Sequence, residues 1–196
     1  MRLLSDKVCV LMATEMEASE LIKESVNALE SETPFLIYRN AEFNLLITGI
    51  GKINAKLATV WALSQGAEKF INAGICGCLN DQLALFQVCC PSSIKDLDLM
   101  QCGAKEIYCD QKENLCIGTV SKPLHGGQER QNFQIYCDLV DMEAYGIASA
   151  LEMGKNTLKM IKCITDFCQL DGSIEIKKNL PQASLLLQAA VHLCEK

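Results

Sequence analysis

Arginine and basic runs are scarce in this sequence of 196 residues. Its only arginines are Arg2, Arg39 and Arg130, and the formal net charge is -6. A protein that binds nucleic acid usually presents a stripe of lysine and arginine to the phosphate backbone. No such stripe is visible, so we expect no nucleic-acid partner. The 49% share of hydrophobic residues and the 21% share of charged residues are typical of a globular protein.

The sequence also lacks a hydrophobic run long enough to cross a membrane. A membrane-spanning helix needs about 20 consecutive apolar residues, and no stretch approaches that length. The first apolar run, residues 8–13, is short and follows Asp6 and Lys7, which is not the pattern of a signal peptide. We therefore expect a cytoplasmic protein without a membrane partner.

Histidine is rare as well, since His125 and His192 are the only two. The twelve cysteines include no C-x2-C pair, and Cys76 and Cys78 are only two positions apart. A structural zinc site would need such pairs or nearby histidines, so we expect no metal. A chain of this length and apolar content does not need disulfides. Many of the cysteines lie in apolar runs, where free thiols act as small hydrophobic groups, and this favours a reducing compartment.

Apolar runs and amphipathic segments alternate along the chain. The first predicted helix begins at Thr14, where Glu17 completes a capping-box pattern, and ends near Leu29. Further helices are predicted at residues 53–65, 140–148 and 180–194, and loops at residues 121–134 and 169–176. Strands are predicted at residues 8–13, 35–39, 43–48, 69–73, 83–91, 107–109, 115–120 and 158–165. This alternation predicts one α/β domain, residues 1–196, with a largely parallel sheet covered by helices on both faces.

A glycine pair at residues 49 and 51 precedes the second helix but fits neither common nucleotide motif. A dinucleotide fingerprint would need glycine in place of Asn54. A Walker-type phosphate loop would need glycine at Leu46 and serine or threonine at Ile53. Two readings stay open: the glycines let the backbone approach a ligand, or they make a tight turn.

Three carboxylates and two glycine-rich segments follow predicted strands. Glu17, Asp166 and the segments 49–51 and 74–78 lie just past a strand end. Glu143 lies just past the strand, within residues 135–141, that leads into its helix. Ligands of open α/β sheets bind at the carboxyl ends of the strands. If the sheet is parallel there, these groups converge on one rim. Glu143 stands out because its helix is apolar almost all round, and a buried carboxylate is costly without a partner.

Three acids without an evident metal suit acid–base chemistry on a glycosidic bond. One acid takes a proton from water, and another gives a proton to the leaving group. A cluster of acids could equally bind magnesium. The residues by themselves leave this choice open.

Five stretches together resemble the nucleoside phosphorylase/nucleosidase superfamily, and specifically hydrolases similar to methylthioadenosine/S-adenosylhomocysteine nucleosidase and futalosine hydrolase. They are A-T-E-M-E-A at residues 13–18, G-I-G-K-I-N-A at 49–55, N-A-G-I-C-G-C-L at 72–79, V-D-M-E-A at 140–144 and I-T-D at 164–166. The resemblance implies a three-layer α/β/α sandwich with a central, mostly parallel but mixed, twisted sheet. It also implies hydrolysis of a purine–ribose bond by water without cofactor or metal, and a homodimer.

The resemblance assigns roles to individual residues. Glu17 looks like the base that activates water, and Asp166 looks like the acid that protonates the purine ring nitrogen. Glu143 looks like the acceptor for ribose hydroxyls, with Met142 packing under the sugar; Asp141 would then be a solvated or structural carboxylate. Further substrate contacts fall on Gly51, Ile75, Cys76, Gly77 and Thr165.

The chain also departs from the family pattern. Lys162 stands where family members often carry arginine, and it loses the bidentate fork. Ile75 stands where a serine or threonine is common. No aromatic residue for stacking on the purine can be assigned, although Phe133, Tyr136 or Phe167 could serve. The chain is also shorter around residues 92–114 than a typical methylthioadenosine nucleosidase.

Four functions remain as candidates. A futalosine or 6-amino-6-deoxyfutalosine hydrolase of menaquinone synthesis ranks first, since the A-T-x-x-E-A start resembles futalosine hydrolases and the I-T-D stretch resembles enzymes for 6-aminopurines. A methylthioadenosine/S-adenosylhomocysteine nucleosidase ranks second. A purine nucleoside phosphorylase would need phosphate ligands, and no arginine lies in the matched stretches. A non-catalytic nucleoside-binding relative is the fourth.

Overall fold

A mixed sheet of eleven strands lies at the centre of the computed structural model. The structure describes residues 4, 7–27, 33–102, 105–109, 111, 113–151, 155–170 and 172–194. The strands are β1 Val8–Met12, β2 Val26–Asn27, β3 Leu36–Arg39, β4 Phe43–Ile47, β5 Lys69–Cys78, β6 Val88–Cys89, β7 Pro91–Asp96, β8 Ile107–Tyr108, β9 Glu113–Thr119, β10 Leu139–Asp141 and β11 Thr157–Asp166. The helices are α1 Ser19–Lys23, α2 Lys52–Ser64, α3 Gly127–Phe133, α4 Ala144–Ala150 and α5 Gly172–Cys194, with a 3₁₀ helix at Leu97–Cys102.

The two longest strands, β5 and β11, run parallel to each other through the middle of the sheet. The strand order is β2-β3-β4-β1-β5-β10-β9-β7-β8, with β11 on β5 and β6 on β11. The pairings of β4 with β1, β1 with β5, β9 with β10 and β7 with β9 are also parallel. Antiparallel pairs form at both outer edges and between β5 and β10.

Helices cover both faces of this sheet. On β1, Cys9 and Leu11 pack into the core cluster that contains the buried alanines of α2 and α4. The intervening Val10 and Met12 pack into the cluster that contains buried residues of α1 and α5. Alternate side chains of a strand point to opposite faces, so a strand buried on both sides reads as a continuous apolar run. The predicted three-layer α/β/α sandwich with a mixed sheet is therefore confirmed.

The helix α4 lies directly against the first turn of α2. A methyl group on Gly146 would lie 2.2 Å from the carbonyl oxygen of Lys52, so only glycine permits this approach. The close packing brings the residue before α4, Glu143, to the residue before α2, Gly51.

Several predicted boundaries are wrong. The first helix begins at Ser19, with Ala18 as its N-cap residue, instead of at Thr14. It ends at Lys23 instead of near Leu29, because Val26 and Asn27 pair with β3. The strand predicted to stop at Ala73 continues to Cys78, because β11 hydrogen-bonds along almost its whole length. Residues 28 and 29 lie outside the described part of the chain.

Two loop predictions and one strand prediction also differ from the structure. The region 121–134, predicted as loop, contains α3, and the last helix begins at Gly172 instead of Leu180. Of the strand predicted at residues 83–91, only Val88–Cys89 and the start of β7 are extended in the sheet. The other predicted strands are confirmed within a few residues.

Candidate active site

Glu17 follows β1 and is held in a turn by the predicted capping-box partners. The Thr14 hydroxyl donates to Glu17 Oε1 at 3.2 Å, and the Glu17 N–H donates to the Thr14 oxygen at 3.2 Å. The backbone N–H of Ile75 also donates to the Glu17 carboxylate. A methyl group on Gly74 would lie 2.9 Å from Glu17 Oε2, so glycine leaves room for the acid beside β5.

Burial controls the charge of Glu17. The residue is only 8% exposed, and this loss of hydration raises its pKa from its ordinary value of 4.5 to about 7, although Lys162 and the Thr14 and Ile75 hydrogen bonds pull the other way. A carboxyl group that titrates near neutral pH is suited to accept a proton.

Glu143 is the N-cap residue of α4 and faces the N-terminus of α2. The N–H of Gly51 donates to Glu143 Oε1 at 2.7 Å. Gly51 adopts φ 100°, a conformation that favours glycine and turns its N–H toward the acid. Burial, followed by the negative charge of Asp141, raises the pKa of Glu143. The glycine pair therefore makes a tight turn whose N–H binds an acid of the site.

Asp166 is the last residue of β11, beyond a register shift that follows Ile164. Its Oδ2 accepts the N–H of Cys168 at 2.9 Å, and its Oδ1 accepts the Thr165 hydroxyl at 3.3 Å. Methyl groups on Gly77 and Gly172 would lie 3.4 and 3.3 Å from Oδ2, so the surroundings of this oxygen are narrow. Burial raises the pKa of Asp166 despite these hydrogen bonds.

A buried ion pair lies beneath Glu17 and Glu143. Lys162 is 1% exposed, and its Nζ donates to Asp141 Oδ2 at 2.8 Å. Asp141 also accepts the Thr119 hydroxyl at 2.7 Å and the N–H of Ala144 at 2.9 Å. Burial alone would lower the pKa of Lys162, but Asp141 and Glu143 together raise it, so the side chain stays charged.

The predicted site residues spread along β5 in a definite order. Glu17 lies beside Gly74, and Asp166 pairs in register with Gly77. Three residues of strand separate these positions by roughly 10 Å, since a strand advances about 3.3 Å per residue. Glu17 and Glu143, near Gly74, and Asp166, near Gly77, can thus contact different parts of one elongated ligand.

The convergence of the acids does not depend on a parallel sheet, contrary to the sequence-based expectation. The strand β10 runs antiparallel to β5, with Val140 opposite Gly77. The strand β5 extends past its predicted end at Ala73. The strand β10 pairs with the last residues of β5 and runs back toward Gly74. Glu143 therefore reaches Gly51 and Lys162 from the opposite direction.

The remaining predicted contacts differ in exposure. Cys76 and Thr165 are buried, and the Thr165 hydroxyl also donates to the Cys76 carbonyl at 3.4 Å. Ile75 is half-buried on the side of α1 and α5. Met142 and Phe133 are both half-buried against one apolar cluster that includes Cys168. Phe133 therefore shares a cluster with Cys168, whose N–H binds Asp166, whereas Phe167 packs on the main core.

Sequence reasoning missed the full role of Asp141 and missed Thr119. Asp141 is structural and buried, not solvated. The Thr119 oxygen accepts the N–H of Tyr145 at 2.9 Å while its hydroxyl donates to Asp141, so it ties β9 to the start of α4. The only sequence signal was the unusual pairing of Asp141 with Glu143 on one short apolar segment.

Within the described chain, no group of three or more histidine, cysteine, aspartate or glutamate side chains could hold a metal ion. The cysteine side chains that the structure describes are all free thiols. No helix among the described residues is long and apolar enough to cross a membrane.

A family model supports the resemblance seen in the motifs. Residues 7–114, more than half of the chain, match the model described as the phosphorylase superfamily. No curated protein matches the chain by sequence.

Solved structures with the same fold include several nucleosidases. A futalosine hydrolase mutant of Helicobacter pylori is 14% identical, with a TM-score of 0.81 over 92% of this chain and 94% of that chain. The 5′-methylthioadenosine/S-adenosylhomocysteine nucleosidase of Neisseria meningitidis, in complex with methylthio-immucillin-A, is 20% identical, with a TM-score of 0.80 over 92% and 94%. A mutant of the H. pylori nucleosidase with 5′-methylthioadenosine in its active site is 14% identical, with a TM-score of 0.79 over the same shares. These likenesses confirm the fold.

Proposed function

Because the chain belongs to the phosphorylase superfamily, we propose that it is a purine nucleosidase that hydrolyses the N-glycosidic bond of a 5′-modified purine nucleoside. The observation that carries this proposal is a set of three carboxyl groups, Glu17 and Glu143 near Lys162 and Asp166 beside Gly77, each buried enough for its pKa to be raised. Acids that titrate closer to neutral pH can exchange protons with a substrate. The solved structures of the same fold include nucleosidases that bind purine nucleosides or their analogues.

In this proposal the two ends of the site have separate tasks. Asp166 in its protonated form gives its proton to a ring nitrogen of the purine. The bond between the anomeric carbon and the base then breaks, its electron pair leaves with the base, and an oxocarbenium-like sugar forms. Glu17 as carboxylate takes a proton from the water that attacks this carbon. Glu143 accepts hydrogen bonds from ribose hydroxyls, which replace part of its lost hydration.

Water is favoured over phosphate as the attacking group because the site's cation is already engaged. Lys162 is buried and bound to Asp141, so its charge is balanced inside the protein. A phosphorylase must hold a phosphate anion, which arginine forks and backbone N–H groups usually do. The acids Glu17 and Glu143 beside Lys162 would repel that anion.

The substrate ranking rests on sequence motifs. We place futalosine or 6-amino-6-deoxyfutalosine first, which would make the protein part of menaquinone biosynthesis, and methylthioadenosine or S-adenosylhomocysteine second. Phe133 and Met142 are the proposed apolar partners of the base and the sugar, because both contact the cluster next to Asp166.

A panel of nucleosides tests the proposed function. Futalosine, aminofutalosine, methylthioadenosine, S-adenosylhomocysteine and inosine are each incubated with the protein, with and without phosphate, and free base is measured. We expect base release from at least one 5′-modified nucleoside at a rate that does not depend on phosphate. A strict phosphate requirement would identify a phosphorylase, and no release from the whole panel would leave the non-catalytic relative.

The variant Asp166→Asn tests the proposed role of Asp166 as the acid that protonates the base. We expect the purified variant to keep its fold, because the amide oxygen can still accept the Cys168 N–H, while base release falls by about 10²- to 10⁴-fold. The panel assay with the best substrate measures the rate, and circular dichroism measures the fold. Release at the wild-type rate would show that another group protonates the base.

A homodimer is proposed as the assembly of the protein, which we also place in the cytoplasm. The exposed side of α2 carries Ile53, Leu57 and Val60, three large apolar residues at helical spacing, with Ile50 just before the helix. Such a stripe is typical of an interaction surface. Leu57→Lys should therefore halve the mass measured by light scattering, whereas a monomeric wild-type protein would contradict the proposal.

A further inference from the structure

Arg130 on α3 binds the ends of both central strands. Its Nε donates to the Phe167 carbonyl at 3.1 Å, just beyond β11. Its Nη2 donates to the Leu79 carbonyl at 3.4 Å, just beyond β5, and to the Asp81 carboxylate at 2.7 Å. Its Nη1 donates to Gln134 Oε1 at 3.1 Å on the same helical segment. The side chain is only 18% exposed, and its bonds to the Phe167 and Leu79 carbonyls are partly buried, whereas the bonds to Asp81 and Gln134 lie at the surface.

The bond to Phe167 reaches Asp166 through a single peptide unit. The Phe167 carbonyl and the Cys168 N–H belong to the same planar group, so fixing the oxygen also fixes the direction of the N–H. That N–H donates to Asp166 Oδ2 at 2.9 Å. Arg130 thus acts on the carboxylate from one residue away without touching it.

The segment that contains the Phe167–Cys168 peptide depends on contacts with other parts of the chain to keep its conformation. Cys168 adopts φ 53°, a left-handed conformation that is unfavourable for a residue other than glycine. A methyl group on Gly126 would lie 3.3 Å from the Cys168 carbonyl oxygen, so the loop before α3 packs on the same segment. None of the seven described residues of α3 is buried. The polar bonds of Arg130 are therefore a main attachment of α3 to the strand ends.

We propose that Arg130 is a positioning residue for the acid of the site: by holding the Phe167–Cys168 peptide, it orients the Asp166 carboxyl group toward the base. This inference rests on the proposed function, which makes Asp166 the proton donor. The planar fork of arginine suits the task, since it donates in several directions at once, whereas a lysine ammonium is a single point on a flexible stem.

Removal of the Arg130 guanidinium should misplace the Asp166 carboxyl group and change its pKa. A misplacement of about 1 Å can cost about 100-fold in rate, so Arg130→Met should lower kcat by about that factor and leave KM nearly unchanged. The Cys168 N–H favours the charged form of Asp166 and keeps its pKa from rising further. Without that bond, the pKa of Asp166 rises, and the limb of the kcat–pH profile that reports Asp166 moves to higher pH.

The experiment compares Arg130→Met and Arg130→Lys with the control Gln134→Ala. The control removes one partner of Arg130 on its own helical segment and leaves the bond to Phe167 intact. Each variant is assayed for kcat, KM and the kcat–pH profile on the best substrate. Hydrogen exchange of the peptide that spans residues 166–169 is measured by mass spectrometry as a readout that needs no activity.

The proposal expects Arg130→Met to lose rate, to move the limb of the kcat–pH profile that reports Asp166 to higher pH, and to exchange faster over residues 166–169. Arg130→Lys should lie in between, and Gln134→Ala should behave like the wild type. Wild-type kcat and pH profile in Arg130→Met would overturn it while the proposed function stands. A wild-type protein that releases no base would overturn the proposed function instead. In that case unchanged exchange in Arg130→Met would also overturn the positioning of the peptide, and faster exchange would support it. If Arg130→Met does not fold, the kcat–pH profile of Arg130→Lys decides.

Discussion

Glu17→Gln should abolish most base release and, at alkaline pH, stabilise the fold relative to the wild type. The glutamine keeps the size of the side chain and can still accept the N–H of Ile75, but it cannot take a proton from water. A positioned general base typically contributes about 10²- to 10⁴-fold to the rate, so kcat should fall by that order. The panel assay with the best nucleoside measures it.

The gain in stability follows from the raised pKa of Glu17. Burial moves the pKa from 4.5 to about 7 in the folded protein, whereas the unfolded chain keeps the ordinary value. The folded state therefore binds the proton more tightly, and this contribution to stability is lost as the pH rises through 7. The glutamine of the variant has no proton to lose, so its free energy of unfolding should gain about 2.5 kcal/mol on the wild type between about pH 5 and about pH 8.5.

Urea unfolding at a series of pH values measures this difference, and Glu15→Gln is the matched control. Glu15 lies two residues away on the exposed side of the same turn, where it accepts the Tyr38 hydroxyl. Its replacement should leave the rate of base release almost unchanged. The pH dependence of the free energy of unfolding should also stay close to that of the wild type. A difference between Glu17→Gln and wild type that stays constant with pH would mean that Glu17 is not held in a desolvated state.

Local sequence patterns predicted the parts of the site that depend on neighbouring residues. The spacing of Thr14 and Glu17 predicted the bond from the Glu17 N–H to the Thr14 oxygen, although the two residues lie in a turn and the helix begins only at Ser19. Gly49 and Gly51 predicted a turn before α2, and both adopt positive φ. These features involve three or four consecutive residues, so sequence spacing alone specifies them.

Long-range pairings could not be predicted in the same way. No local pattern distinguishes a strand that ends at Ala73 from one that continues to Cys78, because the extension depends on pairing with β11. The antiparallel direction of β10 depends in turn on that extension. Arg130 lies in a polar stretch that predicts a loop, and its partners Leu79 and Phe167 are distant in the sequence. Tertiary contacts decide all three features.

Lys162 stands where family members often carry arginine, and its contacts with Asp141 show how a lysine fits this position. Asp141 Oδ1 accepts the Thr119 hydroxyl, and Oδ2 already accepts the Ala144 N–H. The ammonium of Lys162 adds a second hydrogen bond to Oδ2, at a single point. The structure therefore gives the single-point cation a defined place.

Lys162→Met should be the most destabilising of the substitutions considered. It removes the cation from a buried ion pair and leaves Asp141 charged and uncompensated, with Glu17 and Glu143 close by. Breaking a buried pair in this way typically costs about 3–5 kcal/mol. Lys159→Met is the matched control, because Lys159 lies on the same strand but is exposed. Urea unfolding of both variants at neutral pH measures the cost.

The double variant Lys162→Met/Asp141→Asn separates the role of the pair in folding from its role in the chemistry. With both charges gone, much of the lost stability should return, because no uncompensated ion remains at that position. Activity should not return, since Lys162 lowers the pKa of Glu17 by more than Asp141 raises it. Without it, Glu17 stays protonated at neutral pH, and the acidic limb of kcat/KM should move above pH 7, the value near which Glu17 titrates beside Lys162. A double variant with the wild-type acidic limb would show that Lys162 stabilises the fold without setting the charge of Glu17.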